Sequence, residues 1–188
     1  VFEIDALGGE MGAAADKVTM QSRMLNRSKG PAVHSKRVQA DRRMYHSIMK
    51  ETVEKQKNLS LIQAEVVDFT VSDGRLRSVI TKFGAEWNVK AAIICTGTYL
   101  RGKVIVGNVM YDSGPDGMLP AKGLESALQR EGISLMRFKT GTPPRVARDS
   151  IDFSKMEVQL GDDYIKPFSS LTDEDELNSR SQVPCHIV

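Results

Sequence analysis

The first third of the chain shows apolar residues at helical spacing. Between Val1 and about Leu25 this spacing is interrupted only by Gly8-Gly9, which predicts one or two short helical pieces lying on a core. Gly30-Pro31 then predicts a loop, because proline disfavours a helical residue before it. A longer helix is predicted from about Ser35 to Gln56, where apolar positions fall on one side and charges elsewhere.

After Asn58 the apolar period changes to that of strands. Residues of about 59–90 predict an antiparallel meander, with Asp73-Gly74 as a strong hairpin signal. The continuous apolar run Ala91–Cys95 predicts a strand buried on both faces of an α/β sheet, and Lys103–Val106 predicts a further strand.

The last third is richer in turn formers and acidic residues. Glycines and prolines predict a long loop from Asn108 to Pro120, followed by a helix at Lys122–Glu131. Ile133–Phe138 predicts a strand and Lys139–Arg145 a loop. The acidic run Thr172–Glu176 is interpreted as solvated surface or linker.

Composition places the chain among folded cytoplasmic proteins. Its 188 residues are 40% hydrophobic, enough for an ordinary domain core, and 26 basic against 24 acidic residues give a weak net charge of +2. Two distant cysteines, Cys95 and Cys185, argue against a disulfide scaffold and fit a reducing compartment. No apolar run approaches the roughly 20 residues of a membrane span. Since Val1 enters mid-pattern, we expect a truncated chain.

Two nucleotide-binding motifs are tested by their spacing. Gly97–Lys103 fits G-x-x-x-x-G-K, but Val104 replaces the hydroxyl residue that binds Mg²⁺ and begins a strand-like run, so a nucleotide triphosphatase is disfavoured. The chain has no G-x-G-x-x-G, so any dinucleotide site in it is incomplete. His34, His46 and His186 are isolated, which predicts neither a metal site nor a catalytic histidine.

Basic side chains accompany two of the predicted loops. Several lysines and arginines surround Gly30-Pro31, while Lys139 and Arg145 flank Gly141. Such loops can hold a phosphate through backbone N–H groups and cationic side chains. A solvated helix face and an ordinary turn explain the same residues equally well, so both readings stay open.

Successive blocks of the chain resemble the GidA/MnmG family in order and spacing. The blocks cover essentially all 188 residues: Glu3–Gly9, Arg23–Val33, Gln39–Arg42, Thr96–Lys103, Phe138–Arg145, Ile151–Ser154 and Gln182–Cys185. The resemblance implies an FAD- and NADH-dependent enzyme with a glutathione-reductase-like Rossmann domain. It implies that the intact enzyme acts with the GTPase MnmE in a heterotetramer and is itself a homodimer. The reaction implied is addition of a (carboxymethyl)aminomethyl group at carbon 5 of the wobble uridine of tRNA, with methylenetetrahydrofolate as one-carbon donor.

The resemblance also implies which residues contact the cofactor. Val66 matches a strand position that contacts the FAD adenine, and the strand-end motif Thr96-Gly97-Thr98 matches a close backbone approach to the flavin cofactor. Two loops are expected near the flavin, namely Lys29-Gly30-Pro31 and Thr140-Gly141-Thr142. Ala121 stands where family members often have a serine contact. Cys95 and Cys185 match neither functional cysteine of the family, so no catalytic residue and no metal ligand is assigned.

We therefore predict an α/β fold: a partial Rossmann-like, glutathione-reductase-type FAD-binding domain with an antiparallel β-meander, plus the start of an inserted domain. Residues 1–145 are assigned to the FAD domain and 146–188 to the inserted, NAD-binding-type domain. Because the Gly-rich phosphate turn is not in the chain, we expect weak FAD binding and no activity from these residues alone. The alternatives are another FAD-dependent oxidoreductase, or a tRNA- or protein-binding scaffold without catalysis.

Overall fold

The computed structural model describes residues 1–187. Five helices and nine strands are formed within them: α1 Phe2–Ala6, α2 Met11–Lys17, β1 Thr19–Leu25, β2 Ser35–Ala40, α3 Arg42–Lys55, β3 Val66–Ser72, β4 Arg75–Thr81, β5 Glu86–Asn88, β6 Lys103–Val106, β7 Val109–Asp112, α4 Leu124–Arg130, β8 Glu157–Gln159, α5 Glu174–Ser179 and β9 Cys185–Ile187. In this described part of the chain, no helix has the length and apolar character needed to cross a bilayer.

The elements group into two compact units. The first contains Val1–Leu61 together with the chain from Pro143 onward, and the second contains Ile62–Thr142. All strand pairs are antiparallel: β1 with β2, β3 with β4 and β5, β6 with β7, and β8 with β9. The proposed domain border near residue 145 stays a prediction.

The N-terminal helical prediction is confirmed up to Lys17 and is wrong beyond it. Thr19–Leu25 is a strand, because its backbone pairs with Ser35–Ala40 across the loop, with Arg23 opposite Arg37. The residues 35–40 were likewise predicted as helix and form β2 instead. Each of these two strands provides hydrogen-bond partners for the backbone N–H and C=O groups of the other. This pairing outweighs the local preference for helix that the apolar spacing indicates.

Asp41 sets the true start of the long helix. Its carboxylate accepts hydrogen bonds from the backbone N–H groups of Arg43 at 2.8 Å and Met44 at 2.9 Å, as expected for a helix N-cap. The helix therefore begins at Arg42 and runs to Lys55, so the second part of the prediction is confirmed.

The core of the first unit joins α2 to the C-terminal segment. Leu177 of α5 is 1% exposed and Ile165 is 3% exposed. Ala14 in α2 and Val18, directly after that helix, are also buried. Asp173 caps α5 by accepting a hydrogen bond from Glu176 N at 2.9 Å. The acidic run is thus exposed, as predicted, but it forms the first turn of a packed helix and is not a linker.

The second unit contains the predicted meander. Asp73 and Gly74 both have positive φ, 53° and 68°, which matches the twist required of a tight hairpin turn. The meander is confirmed, although its first strand begins at Val66 and the predicted strand at 59–62 is irregular. Helix α4 packs against β3, and Arg130 ties them by donating to Asp68 Oδ1 at 2.7 Å.

The segment after β5 departs from the prediction in three places. Ala91–Cys95 and Ile133–Phe138 are irregular, and Ile93 and Phe138 are 90% and 83% exposed. Both strand predictions are wrong because no strand of residues 1–187 pairs with either segment. Cys95 is consequently exposed, not packed in a strand.

The predicted loop at 108–120 also contains more structure than expected. Val109–Asp112 forms β7, which pairs with the correctly predicted strand Lys103–Val106. Since Val104 lies inside that strand, no helix follows Gly102-Lys103, and the phosphate-loop reading is excluded by structure as well as by sequence.

Candidate functional site

The strand-end motif forms a tight, exposed turn. Gly97 has φ +53°, a backbone conformation that favours glycine, and Tyr99 N donates to Thr96 O at 3.0 Å. A Cβ built on Gly97 meets no heavy atom within 4 Å. The backbone geometry alone therefore explains the glycine, because the side of Gly97 where a Cβ would stand is open to solvent.

A neighbouring backbone bridge fixes this turn. Ala121 N donates to Tyr99 O, and Arg101 N donates to Ala121 O, each at 2.9 Å. Leu100 and Ala121 form an isolated parallel bridge. Ala121 thus holds the turn through its main chain. Its methyl side chain cannot form a hydrogen bond.

Close packing also restricts Gly102. A Cβ at this position would lie 2.5 Å from Ser113 O and 2.7 Å from Thr98 O, both backbone atoms that cannot easily move. Ser113 N donates to Gly102 O at 3.0 Å. The family block Thr96–Lys103 therefore contains one glycine required by φ and another required by space.

Val66 lies beside the same bridge. It is the first residue of β3 and pairs with Thr81 of β4. The preceding Glu65 accepts a hydrogen bond from Lys122 N at 3.3 Å, and a Cβ on Gly123 would lie 3.1 Å from Val67 Cβ. Residues 121–123 thus touch both the beginning of β3 and the 96–102 turn, so the structure brings these two predicted cofactor contacts into one neighbourhood.

Paired charges surround this neighbourhood. Glu65 lies 3.0 Å from Lys82 Nζ, and Asp112 lies 2.9 Å from Lys122 Nζ and 3.7 Å from Lys103 Nζ. The lysine hydrogen bonds lower the pKa of Glu65 and of Asp112. These carboxylates stay ionised and paired near neutral pH, which suits structural support and not proton transfer.

The Lys29-Gly30-Pro31 loop belongs to the first unit. It connects β1 to β2, and Lys29 N donates to Asn26 O at 2.9 Å while Lys29 O contacts His34 Nε2 at 3.2 Å. Pro31 begins a short 3₁₀ turn. The loop is exposed, and these internal hydrogen bonds give it a defined shape.

The second predicted flavin loop has a different character. Thr140-Gly141-Thr142 lies in an irregular, exposed stretch at the end of the second unit. A Cβ on Gly141 meets no atom within 4 Å. Because Lys29–Pro31 and Thr140–Thr142 are in different units, their roles beside a shared flavin stay predictions.

The structure contains a buried charged cluster that sequence analysis did not predict. Asp16 is fully buried and accepts hydrogen bonds from Phe168 N, Ser169 N and Thr172 Oγ1 at 2.8–2.9 Å. Lys36 Nζ lies 4.0 Å from Asp16 Oδ1 and 3.9 Å from the centre of the Phe168 ring. Burial lowers the pKa of Lys36, and Asp16 opposes that shift. This cluster attaches the C-terminal segment to the hairpin whose loop carries Lys29.

The edge of β1 is covered by Gln182, which belongs to a family block, and by Asp162, which sequence analysis did not identify. Gln182 Oε1 accepts from Ser22 N at 2.8 Å, Asp162 Oδ2 accepts from Met24 N at 2.8 Å, and Asp162 N donates to Ser22 O at 2.8 Å. These groups replace a third strand. Sequence analysis did not predict this edge because residues 19–25 were predicted to be helical. The hydrogen-bonding partners also lie about 140–160 residues away along the chain.

No group of three or more histidine, cysteine, aspartate or glutamate residues within 1–187 is arranged to hold a metal ion. His34 contacts a loop carbonyl, and His186 packs its ring edge-on to Phe153 with centroids 4.8 Å apart. The site residues that are described supply backbone contacts and fixed charges.

Comparisons with a family model, with related sequences and with solved structures all identify the same family. The family model described as glucose inhibited division protein A matches residues 1–188. A protein of Alkaliphilus metalliredigens named tRNA uridine 5-carboxymethylaminomethyl modification enzyme MnmG is 52% identical over 185 residues, covering 98% of this chain and 29% of the relative. The protein of the same name from Caldicellulosiruptor saccharolyticus is 54% identical over 187 residues, covering 100% of this chain and 29% of the relative. The crystal structure of Aquifex aeolicus GidA is similar with a TM-score of 0.88 at 42% identity, covering 98% of this chain and 31% of that one.

The chain belongs to the glucose inhibited division protein A family, GidA, as its sequence blocks indicated. Its mixed helices and antiparallel strands match the corresponding region of Aquifex GidA, and the predicted Rossmann-like FAD-binding fold is consistent with this family. The chain spans about 29% of the length of the curated relatives it matches.

Proposed function

We propose that the full-length natural protein carrying these 188 residues modifies the wobble uridine of tRNA. The reaction is addition of a (carboxymethyl)aminomethyl group at carbon 5, as the names of the relatives state for those proteins. The observation that carries the proposal is identity of 52–54% to MnmG proteins along nearly the whole chain. A tRNA substrate implies a cytoplasmic activity.

FAD and NADH are the proposed cofactors, and methylenetetrahydrofolate is the proposed one-carbon donor. When bound, the reduced flavin supplies electrons to the reaction. The turn at Thr96-Gly97-Thr98 and the start of β3 at Val66 are proposed to contact FAD; the support is that residues 121–123 lie against both segments. The loops Lys29–Pro31 and Thr140–Thr142 are proposed to border the flavin. No Gly-rich turn for the pyrophosphate occurs among the 188 residues.

The partner proposal follows the family. We propose that the full-length protein forms a homodimer and joins the GTPase MnmE in a heterotetramer. Residues 1–145 serve in the FAD domain, and residues 146–188 begin the inserted, NAD-binding-type domain. The 188 residues by themselves are proposed to be inactive, since a helix-terminus site for the pyrophosphate is not part of them.

The test uses the purified full-length natural protein. We expect visible flavin bands in its absorption spectrum, bleaching on addition of NADH, and modification of unmodified tRNA when MnmE, GTP, methylenetetrahydrofolate and glycine are supplied. Glycine is included because the folate provides only the methylene carbon, and the carboxymethylamino part needs an amine donor. A protein that carries flavin and oxidises NADH but leaves tRNA unchanged would be a different FAD oxidoreductase. A protein that binds tRNA with steep salt dependence and no flavin would be a scaffold, and either result would reject the proposal.

A further inference from the structure

The turn after the cofactor motif contains a strained residue. Arg101 has φ +44°, in the left-handed region that residues with a Cβ rarely adopt. Its side chain is 63% exposed, so burial of that side chain does not explain the conformation. A left-handed residue that is not glycine persists only where its surroundings impose it, and such residues concentrate at binding sites.

Three contacts hold Arg101 in this conformation, and a fourth holds its neighbour Gly102. Its N–H donates to Ala121 O at 2.9 Å, and its carbonyl accepts from Arg137 Nη1 at 3.1 Å. Its guanidinium Nε lies 3.4 Å from Glu125 Oε1. The neighbouring Gly102 is fixed by its bond from Ser113 N.

Glu125 is the unusual member of this set. Its side chain is only 10% exposed, although it lies in the first turn of α4, where an acidic residue is normally solvated. Its second oxygen accepts from Gly123 N at 2.8 Å, next to the bridge residue Ala121. One buried carboxylate therefore joins the 121–123 segment to the guanidinium of the strained residue.

We propose that Glu125 and Arg101 are positioning residues that hold the Thr96–Thr98 turn in the shape required for FAD contact. The Arg101–Glu125 contact fixes the left-handed residue. The Tyr99–Ala121–Arg101 hydrogen bonds then transmit that constraint to Thr96–Thr98. This inference rests on the proposed function, because it assigns the turn to FAD. It goes beyond the proposed function by giving a role to Glu125, which lies outside the family blocks, and to Arg101, a position of the Thr96–Lys103 block to which no role was assigned.

The experiment uses the full-length natural protein and two variants. Glu125→Gln keeps an acceptor for Gly123 N but removes the charge facing Arg101. Arg101→Gly removes the guanidinium and tolerates positive φ, so it keeps the fold accessible. Asp73→Asn is the control, because it removes the charge facing Arg77 in the more exposed pair of the β3–β4 turn, and Asn tolerates the φ of 53° found there.

Two quantities are measured: hydrogen exchange of the 96–102 amides without FAD, and the dissociation constant of FAD. Loss of one charge-assisted contact predicts about tenfold faster exchange and about tenfold weaker FAD binding in both variants, with unchanged global unfolding and no effect of the control. Unchanged exchange at 96–102 would overturn the positioning role, as would faster exchange with unchanged FAD affinity. If wild-type protein binds no FAD, the proposed function fails, and the exchange data separately decide whether the contact restrains the turn.

Discussion

Gln182 and Asp162 together cover the outer edge of β1, and replacing the glutamine gives a sharp test of the fold. Gln182 accepts from Ser22 N at 2.8 Å and donates to Asp162 O at 2.6 Å. The change Gln182→Leu keeps similar volume but removes both bonds. Ser22 is 3% exposed, so water does not readily replace the lost acceptor.

The expected cost follows from these two bonds. A buried N–H left without an acceptor costs about 1–3 kcal/mol, and the second bond contributes about 0.5–1.5 kcal/mol. We therefore expect Gln182→Leu to lower the free energy of unfolding by about 2–4 kcal/mol. Gln182→Glu, which keeps an acceptor but loses the donor, should lose less.

The assay is urea unfolding of the chain, followed by circular dichroism. Gln39→Leu is the control, since Gln39 lies on the partner strand with an exposed side chain, and a surface change there should stay within about 0.5 kcal/mol. Gly161→Ala should reproduce part of the loss, because its Cβ would lie 2.1 Å from Gln182 Oε1 and would displace that side chain. Equal stability of Gln182→Leu and Gln39→Leu would refute the edge-covering role.

Two further predictions test the packing of each unit. Leu177→Ala should lower the free energy of unfolding in urea by about 2–5 kcal/mol, because Leu177 is 1% exposed. Leu171 is 89% exposed, so Leu171→Ala should leave that free energy nearly unchanged. Equal losses in the two variants would contradict the assigned core. The Arg130 hydrogen bond holds the pKa of Asp68 below its ordinary 3.8, so the stabilisation is fully present above pH 3.8 and is lost as the pH falls through the lowered pKa. Asp68→Asn should therefore be less stable than wild type at neutral pH, with a difference that shrinks in acid, and a pH-independent difference would contradict this account.

Local signals in the sequence predicted the elements whose bonding partners are near in the chain. The meander follows from Asp73-Gly74, where two residues impose the turn. Helix α4, predicted at Lys122–Glu131, spans Leu124–Arg130 and is followed by Gly132, whose φ of +82° is typical of a glycine that ends a helix. In each case the residues that determine the structure lie within one hairpin or one helix.

Non-local pairing explains the errors. Thr19–Leu25 has helical spacing but finds its backbone partners in Ser35–Ala40, and Asp41 then starts the helix later than predicted. Apolar character at Ala91–Cys95 indicates a preference for burial but does not supply a neighbouring strand. Hydrophobic periodicity cannot reveal which distant segment will pair.

The candidate site, like the fold, could be predicted only in part from the sequence. The family blocks located the Thr96–Thr98 turn and Val66, and the structure shows how residues 121–123 connect them. The Arg101–Glu125 contact was not predictable, because Arg101 is an unassigned position of the Thr96–Lys103 block and Glu125 lies in no block. The strain at Arg101 exists only in the folded backbone.

The central claim concerns tRNA modification and is tested most directly by nucleoside analysis. The gene for the full-length natural protein is deleted in its own organism, and wobble uridines of total tRNA are measured by mass spectrometry. We predict loss of the 5-(carboxymethyl)aminomethyl-type uridines on deletion and their return when the natural gene is restored. Unchanged modified uridines in the deletion strain would contradict the proposed function.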